Sequence, residues 1–262
     1  MLEPLARLAR TIRRLTALLA AAFYGLWEHR RLPRDAARGQ CAAWLSESCA
    51  RGLAAIDLQL FTTGRLPPGG MMVSNHVSYL DILVLSAAVP CVFVSKEEVK
   101  RWLIFGRYAR WAGTVFVRRH DRADAARANA AVAEALQHGV PVVLFPEGTT
   151  SDGNRVLRFH STMLQPAIDA QAPITPCAIA YELDDGDPGQ EVCWWGAMTL
   201  LPHMWNLLGK KVVRARIAFG EPMHASGDRK LLSHVLHKQV VCLHQQLRGR
   251  EVSRQVVASA QN

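Results

Sequence analysis

No G-x-S-x-G string occurs in the 262 residues, and the nearest approach, GTTSDG at 148–153, carries its serine one position late. The sharp strand-to-helix turn that exposes the nucleophile of a serine lipase or esterase is therefore missing. Six cysteines, at 41, 49, 91, 177, 193 and 242, include no CxxC pair and no clustered framework. That excludes a zinc-ribbon site and a disulfide scaffold, and leaves the thiols as small buried apolar residues in a reducing compartment. Aromatics are sparse at 7% and do not interleave with basic residues along any strand, so a sheet that stacks RNA bases is not expected. There is no internal repeat, no low-complexity tract and no linker long enough to divide the chain.

What is present begins with charge. The formal net charge is +9, and the first 40 residues hold eight Arg against three acids, so +5 of it lies there. In LARLARTIRRLTALLAAAFYGLWEHRRL, residues Leu8, Ile12, Leu15, Leu19, Phe23 and Leu26 share one helical face, while Arg7, Arg10 and Arg14 fall on the other. The uncharged run from Leu15 to Trp27 covers about 13 residues, short of the roughly 20 a spanning helix needs. The expected reading is an amphipathic helix in a membrane interface, with arginines near anionic headgroups and Phe23, Tyr24 and Trp27 at the boundary. Two rivals fit the same string: a helix that covers the protein's own core, and a secretory signal with Ala20-Ala21-Ala22 as its cleavage region.

From about residue 53, short runs rich in Val, Ile and Phe alternate with helical patterns: LAAIDLQLF, GMMVS, CVFVS, GTVFV, PVVLF, ITPCAIAY and VVRARIAFG. This rhythm predicts an α/β class, one domain with a mixed, largely parallel sheet flanked by helices, plus the N-terminal amphipathic arm. The expected divisions are an arm over 1–50, an α/β domain over 51–250 and a tail over 251–262. A helix over 122–138, opened by a capping box at Asp121 and Asp124 and closed by Gly139 and Pro141, joins GTVFV to PVVLF and makes them parallel neighbours. His234, His237 and His244 share a face of a C-terminal helix with no cysteine or carboxylate to complete a metal set, and read as a solvated face.

The stretch SNHVSYLD at 74–81 places His76 and Asp81 five residues apart, about 140° around a regular helix, so they meet only across a loop-to-helix junction. Two readings fit. With Ser78 as N-cap, Asp81 can fold back on the imidazole, fix its tautomer and leave Nε2 as a general base. Alternatively, Ser78 and Asp81 form a capping box and His76 is a turn residue. GTVFVRRH ends a strand in Arg118 and Arg119, either a receiver for phosphate or a plain exposed strand end. VVLFPEGTTSDG sets Glu147 after a strand and Pro146, followed by Gly148, Thr149, Thr150 and Ser151, either a polar-substrate loop or an ordinary turn. Pro176 inside ITPCAIAY reads as an edge strand or a bulge.

Together, H-x4-D, G-x-V-F-V-x-R, F-P-E-G-T and I-x-P resemble, in order, the four motifs of the glycerolipid and lysophospholipid acyltransferases, the 1-acylglycerol-3-phosphate O-acyltransferase type, over about residues 53–222. The resemblance implies that His76 is the general base and Asp81 its orienting partner. It implies that Arg119 contacts the acceptor's phosphate, that Glu147 and Gly148 help position the acceptor, and that Pro176 is structural or near the acyl site. Lys96 sits where relatives tend to carry a lysine before the second motif, and Arg118 and Thr149 join the substrate-binding set. Two departures bear on substrate: Arg118 stands where an acid is common, and Thr150 where an arginine is common. FPEGTTSDGNRVLRF and WWGAMTLLPHMWNLL look like a bacterial branch that includes lyso-ornithine lipid acyltransferases.

The resemblance thus implies acyl transfer from acyl-CoA or acyl carrier protein to the hydroxyl of a lysophospholipid, most directly 1-acylglycerol-3-phosphate, with lyso-ornithine lipid as the alternative acceptor. No metal or other cofactor and no nucleic acid is expected. A membrane surface is the expected partner, placing the protein on the cytoplasmic face of the cell membrane. A serine lipase and a non-enzymatic basic membrane-binding module are the rivals from other classes.

Overall fold

Strand residues here alternate between two cores, and that alternation fixes the architecture. In a computed structural model describing residues 2–33, 35–102, 104–117 and 122–259, Met72, Val143, Cys177, Ile179 and Tyr181 join one buried cluster. Their neighbours Met71, Val73, Val142, Leu144, Ile174 and Ala178 join another. Side chains with a period of two can do this only from strands buried on both faces.

The elements run in chain order as α1 (Leu2–His29), α2 (Arg38–Ala55), β1 (Leu58–Thr63), β2 (Met71–Ser74), α3 (Leu80–Ala88), β3 (Val92–Lys96), α4 (Phe105–Trp111), β4 (Val115–Val117) and α5 (Arg122–Gln137). They continue as β5 (Val142–Leu144), α6 (Gln165–Asp169), β6 (Pro173–Leu183), α7 (Pro188–Glu191), α8 (Leu200–Leu208), β7 (Val213–Phe219), β8 (Met223–His224) and α9 (Arg229–Ser259). The sheet order is β1-β7-β6-β2-β5-β3-β4, with β8 beside β6. All pairings are parallel except β6 with β7 and β6 with β8. The sheet is mixed and largely parallel, as the α/β rhythm predicts. The divisions expected at 50/51 and 250/251 fall inside α2 and α9.

Several local expectations change. LAAIDLQLF is not one strand: Leu53 to Ala55 finish α2 and the strand starts at Leu58. β4 and β5 are parallel but not neighbours, because β3 lies between them. A crossover helix fixes the direction of the returning strand but not how many strands it steps over. Helix α5 ends at Gln137, and Gly139 takes φ +70 behind it; position 121 and the side chain at 124 lie outside the described residues. Pro176 is buried in a central strand, paired with Val73 of β2, rather than on an edge. Its carbonyl accepts from Gly220 N–H at 2.8 Å. In a strand, the N–H and C=O of one residue point the same way. The missing N–H of Pro176 therefore falls on the Gly220 side, just past the last β6–β7 pair, Cys177 with Phe219, where the antiparallel partner changes from β8 to β7.

The C-terminal histidines do not form a solvated face. His244 continues the inward stripe of Leu236 and Val240 at helical spacing and is itself buried. Burial, with Arg248 nearby, pushes its imidazole down to about 4. Of the cysteines, 49, 91, 177 and 193 are buried as expected, whereas Cys242 is exposed.

The N-terminal helix is mounted the opposite way round from an ordinary amphipathic helix. Arg14 is 2% exposed, and its guanidinium donates to the carbonyls of Leu208 and Lys210, to Lys211 O at 3.1 Å, and to Asp57 at 2.9 Å. Arg10 bonds Gly209 O at 2.7 Å and Arg7 bonds Asn206. The arginine face thus caps the C-terminal end of α8, where unpaired carbonyls and the helix dipole favour cations. Further along, Trp44 Nε1 donates to Gly25 O at 2.9 Å and Tyr108 Oη to Ala22 O at 2.8 Å. Only a glycine at 25 admits that tyrosine, since an added Cβ would lie 2.2 Å from its oxygen. Leu8, Ile12, Leu19, Tyr24 and Trp27 are left exposed, with Phe23 the most open at 67%. The core-covering reading of the apolar face does not hold for these residues, and Arg7, Arg10 and Arg14 face protein rather than headgroups. Among the described residues no helix is long and apolar enough to cross a membrane.

Candidate active site

The parallel strands β2, β3, β4 and β5 share one C-terminal edge, where open α/β sheets commonly place ligands. The segment leaving β2 carries His76. Before it, Asn75 behaves as a surrogate backbone amide: its Nδ2 donates to Ile179 O at 3.0 Å and its Oδ1 accepts from Ile179 N–H at 2.8 Å. This continues the β2–β6 ladder beyond Ser74 and Cys177 and fixes where His76 departs.

Asp81, wholly buried, sits in the first turn of α3. Its Oδ2 lies 2.7 Å from His76 Nδ1 and accepts from the N–H groups of Val77, at 2.7 Å, and Ser78, at 3.0 Å. The dyad and the helix cap, alternatives in the sequence, are one arrangement built on a single oxygen. Ser78 itself lies outside the helix, and its hydroxyl donates to Val192 O at 2.7 Å, so Tyr79 rather than Ser78 stands at the N-cap position. The His76 ring stacks on Phe145, with centroids 4.1 Å apart and planes 14° apart. Its side chain stays 20% exposed. With Nδ1 bonded to the carboxylate, and Nε2 without a partner among the described residues, the imidazole can accept a proton from an incoming group. Because Val77 and Ser78 N–H are committed to Asp81, they are not available to an oxyanion.

The loop after β5 clasps the same segment. Glu147 Oε1 accepts from His76 N–H at 3.4 Å, and Ser151 N–H donates to His76 O at 3.1 Å. Gly148 takes φ +71, a conformation that suits glycine, and its N–H reaches Phe145 O at 3.1 Å. Glu147 is 4% exposed and its Oε2 has no partner among the described residues. Burial pushes its carboxyl up to about 8, against backbone N–H bonds from His76 and Leu157, and the nearby Asp81 charge adds to the rise. Thr149 is exposed, Thr150 half-buried, and Lys96 exposed at the end of β3.

The structure therefore brings His76, Asp81, Glu147 and Gly148 together. Pro176 stands apart from that cluster, inside the sheet. Arg118 and Arg119 lie outside the described residues, directly after β4. The sequence reading missed Asn75 and Phe145 as supports of the imidazole, although both flank the residues it singled out. It also missed Tyr181, whose Oη donates to Asp81 Oδ1 at 2.7 Å. The alternation of Cys177, Ile179 and Tyr181 along β6 was the available signal. Among the described residues no three His, Cys, Asp or Glu side chains group as a metal set.

Comparison with known proteins places this arrangement. The sequence profile of the acyltransferase family matches residues 62–180. The lyso-ornithine lipid O-acyltransferase of Brucella abortus (strain 2308) is 38% identical over 208 residues, 73% of this chain and 78% of that protein. The 1-acyl-sn-glycerol-3-phosphate acyltransferase of Neisseria gonorrhoeae is 39% identical over 160 residues, 56% of this chain and 63% of that one. Among solved structures, the 1-acyl-sn-glycerophosphate acyltransferase PlsC of Thermotoga maritima shares the fold, with a TM-score of 0.69 at 21% identity, over 94% of this chain and 98% of that one. A family match over residues 62–180 and a relative 38% identical over about three quarters of both chains make the conclusion a plain one: this chain belongs to the acyltransferase family.

Proposed function

We propose that the protein transfers a fatty acyl group from a thioester, on coenzyme A or acyl carrier protein, to the free hydroxyl of a lysolipid. The observation that carries this reading is the His76–Asp81 contact of 2.7 Å under a partly exposed imidazole. Nε2 of His76 takes the hydroxyl proton as the alkoxide attacks the thioester carbonyl. The tetrahedral intermediate collapses, the C–S bond breaks, and the imidazolium returns its proton to the departing thiolate. Asp81 holds the ring and balances its transient charge. No covalent acyl-enzyme, metal or other cofactor enters the scheme. Glu147 and Gly148 set the loop around His76, while Thr149, Lys96, Arg118 and Arg119 are assigned to the acceptor.

Lysophosphatidate is the acceptor the four motifs favour, with Arg119 on its phosphate. A second reading, lyso-ornithine lipid, is favoured by Thr150 in place of the common arginine, and two relatives of that name align over 73% and 75% of the chain. The outward apolar face of α1 supports peripheral docking on a membrane, at its cytoplasmic face, where the lipid acceptor resides. Purified protein offered lysophosphatidate, other lysophospholipids and lyso-ornithine lipid, with both donors, tests the assignment. One acceptor should yield acylated product that disappears in His76→Ala. Turnover retained in that variant overturns the mechanism.

A further inference from the structure

Asp81 makes one bond that neither the dyad nor the helix cap calls for. Its Oδ2 already serves His76, Val77 and Ser78, while Oδ1 accepts a single partner among the described residues, the Tyr181 hydroxyl, 100 positions away in sequence. We propose that Tyr181 is a positioning residue of the site, holding Oδ1 so that Oδ2 stays aimed at Nδ1 of His76. The effect on rate rests on the acyl-transfer reading above; the effect on the dyad does not.

The fold delivers the tyrosine to that place for a stated reason. Cys177, Ile179 and Tyr181 lie on one face of β6 and join the cluster that also holds Leu80, Val84 and Leu85 of α3. Asn75 locks Ile179 through both its N–H and its C=O, so β6 cannot slide relative to the segment that carries His76. Two residues further on, Tyr181 meets the first turn of α3. Without it, a carboxylate oxygen on a residue with no solvent exposure would have no partner, and a buried unpaired charge is strongly disfavoured. Burial and the Asp81 charge hold the Tyr181 hydroxyl well above its usual range, so it remains a donor at every working pH.

Among the described residues, the other titratable groups facing the dyad are Glu147 from the loop after β5, Cys177 on β6, Cys193 after α7 and Tyr79 ahead of α3. Burial lifts both thiols, Cys177 to about 12, and lifts the Tyr79 hydroxyl as well. Only Glu147 shares the range of interest, so each measurement is repeated in a Glu147→Gln background.

Tyr181→Phe keeps the ring and removes one oxygen. In the full chain, the His76 imidazole titration is followed by NMR and compared with wild type. The midpoint should move up, because a carboxylate that has lost a donor is more basic and the pair holds its proton more tightly. In the acyl-transfer assay kcat should fall roughly 10- to 100-fold, with KM for both substrates unchanged. The titration needs no substrate, so it decides the role of Tyr181 even if no lysolipid is turned over, a result that would count against the proposed function alone. Should Tyr181→Phe fail to fold, 3-fluorotyrosine at 181, a stronger donor in the same place, should move the midpoint down. A midpoint that stays put in the variant that folds overturns the proposal, whatever happens to kcat.

Discussion

Replacing Glu147 with glutamine should flatten the pH dependence of stability, and the size of the effect follows from the site. The carboxyl is 4% exposed and rises from the usual 4.5 to about 8, chiefly through burial. Its folded pKa lies above its unfolded one, so the native state holds the proton more tightly. The associated stability is fully present below about pH 4.5 and is lost as pH climbs through about 8. At about 1.4 kcal/mol per tenfold change in proton affinity, the wild type should lose roughly 3 to 4 kcal/mol from this group between pH 5 and pH 8. The substituted amide would keep the volume and the oxygen that accepts His76 N–H, and would carry no charge at any pH. Urea unfolding of both proteins at half-unit steps from pH 5 to 8 isolates the difference, because contributions common to both, such as neutral His244, cancel. Glu147→Gln should gain steadily on wild type as pH rises. Two curves separated by a constant offset would refute the assignment of Glu147 as a carboxyl that resists ionisation.

Arg14→Met should destabilise the chain by about 2 kcal/mol, read by denaturant unfolding, because the carbonyls of Leu208 and Lys210 lose their donor while remaining shielded from water. An unchanged midpoint would mean that α1 is held elsewhere. Ile12→Glu with Phe23→Glu should leave the thermal midpoint near wild type, since both side chains are exposed, yet markedly reduce co-sedimentation with anionic liposomes. A large loss of stability instead would show that this face is covered in solution. Arg119→Ala should raise KM for a phosphate-bearing lysolipid several-fold, with little effect on the thioester; an effect confined to the thioester would reassign that arginine.

Much of the domain was legible because its information is local. Short runs rich in Val, Ile and Phe located β2 to β7, and the junction SNHVSYLD located the dyad. Two-residue β8 carries too short a pattern to register. The order of β3, β4 and β5 depends on how far α5 travels, and spacing does not record that. The placement of the arginines of α1 was not legible for a related cause: helical periodicity sorts residues into faces without saying which face meets protein. Arginines ordinarily seek water, but Arg14 finds carbonyls more than 190 residues away at the end of α8. Tyr181 escaped notice in the same way, since its partner lies 100 residues distant.

The loop after β5 is pinned at Glu147 and again at Ser151, each through a main-chain atom of His76, while Thr149 and Thr150 between them make no such bond. Substitutions at those two positions can therefore rewrite what the rim presents to a visiting molecule while the imidazole stays where it is. Anchorage and freedom to change are divided between adjacent residues of a single loop, so the rim can differ while the His76–Asp81 pair keeps its place.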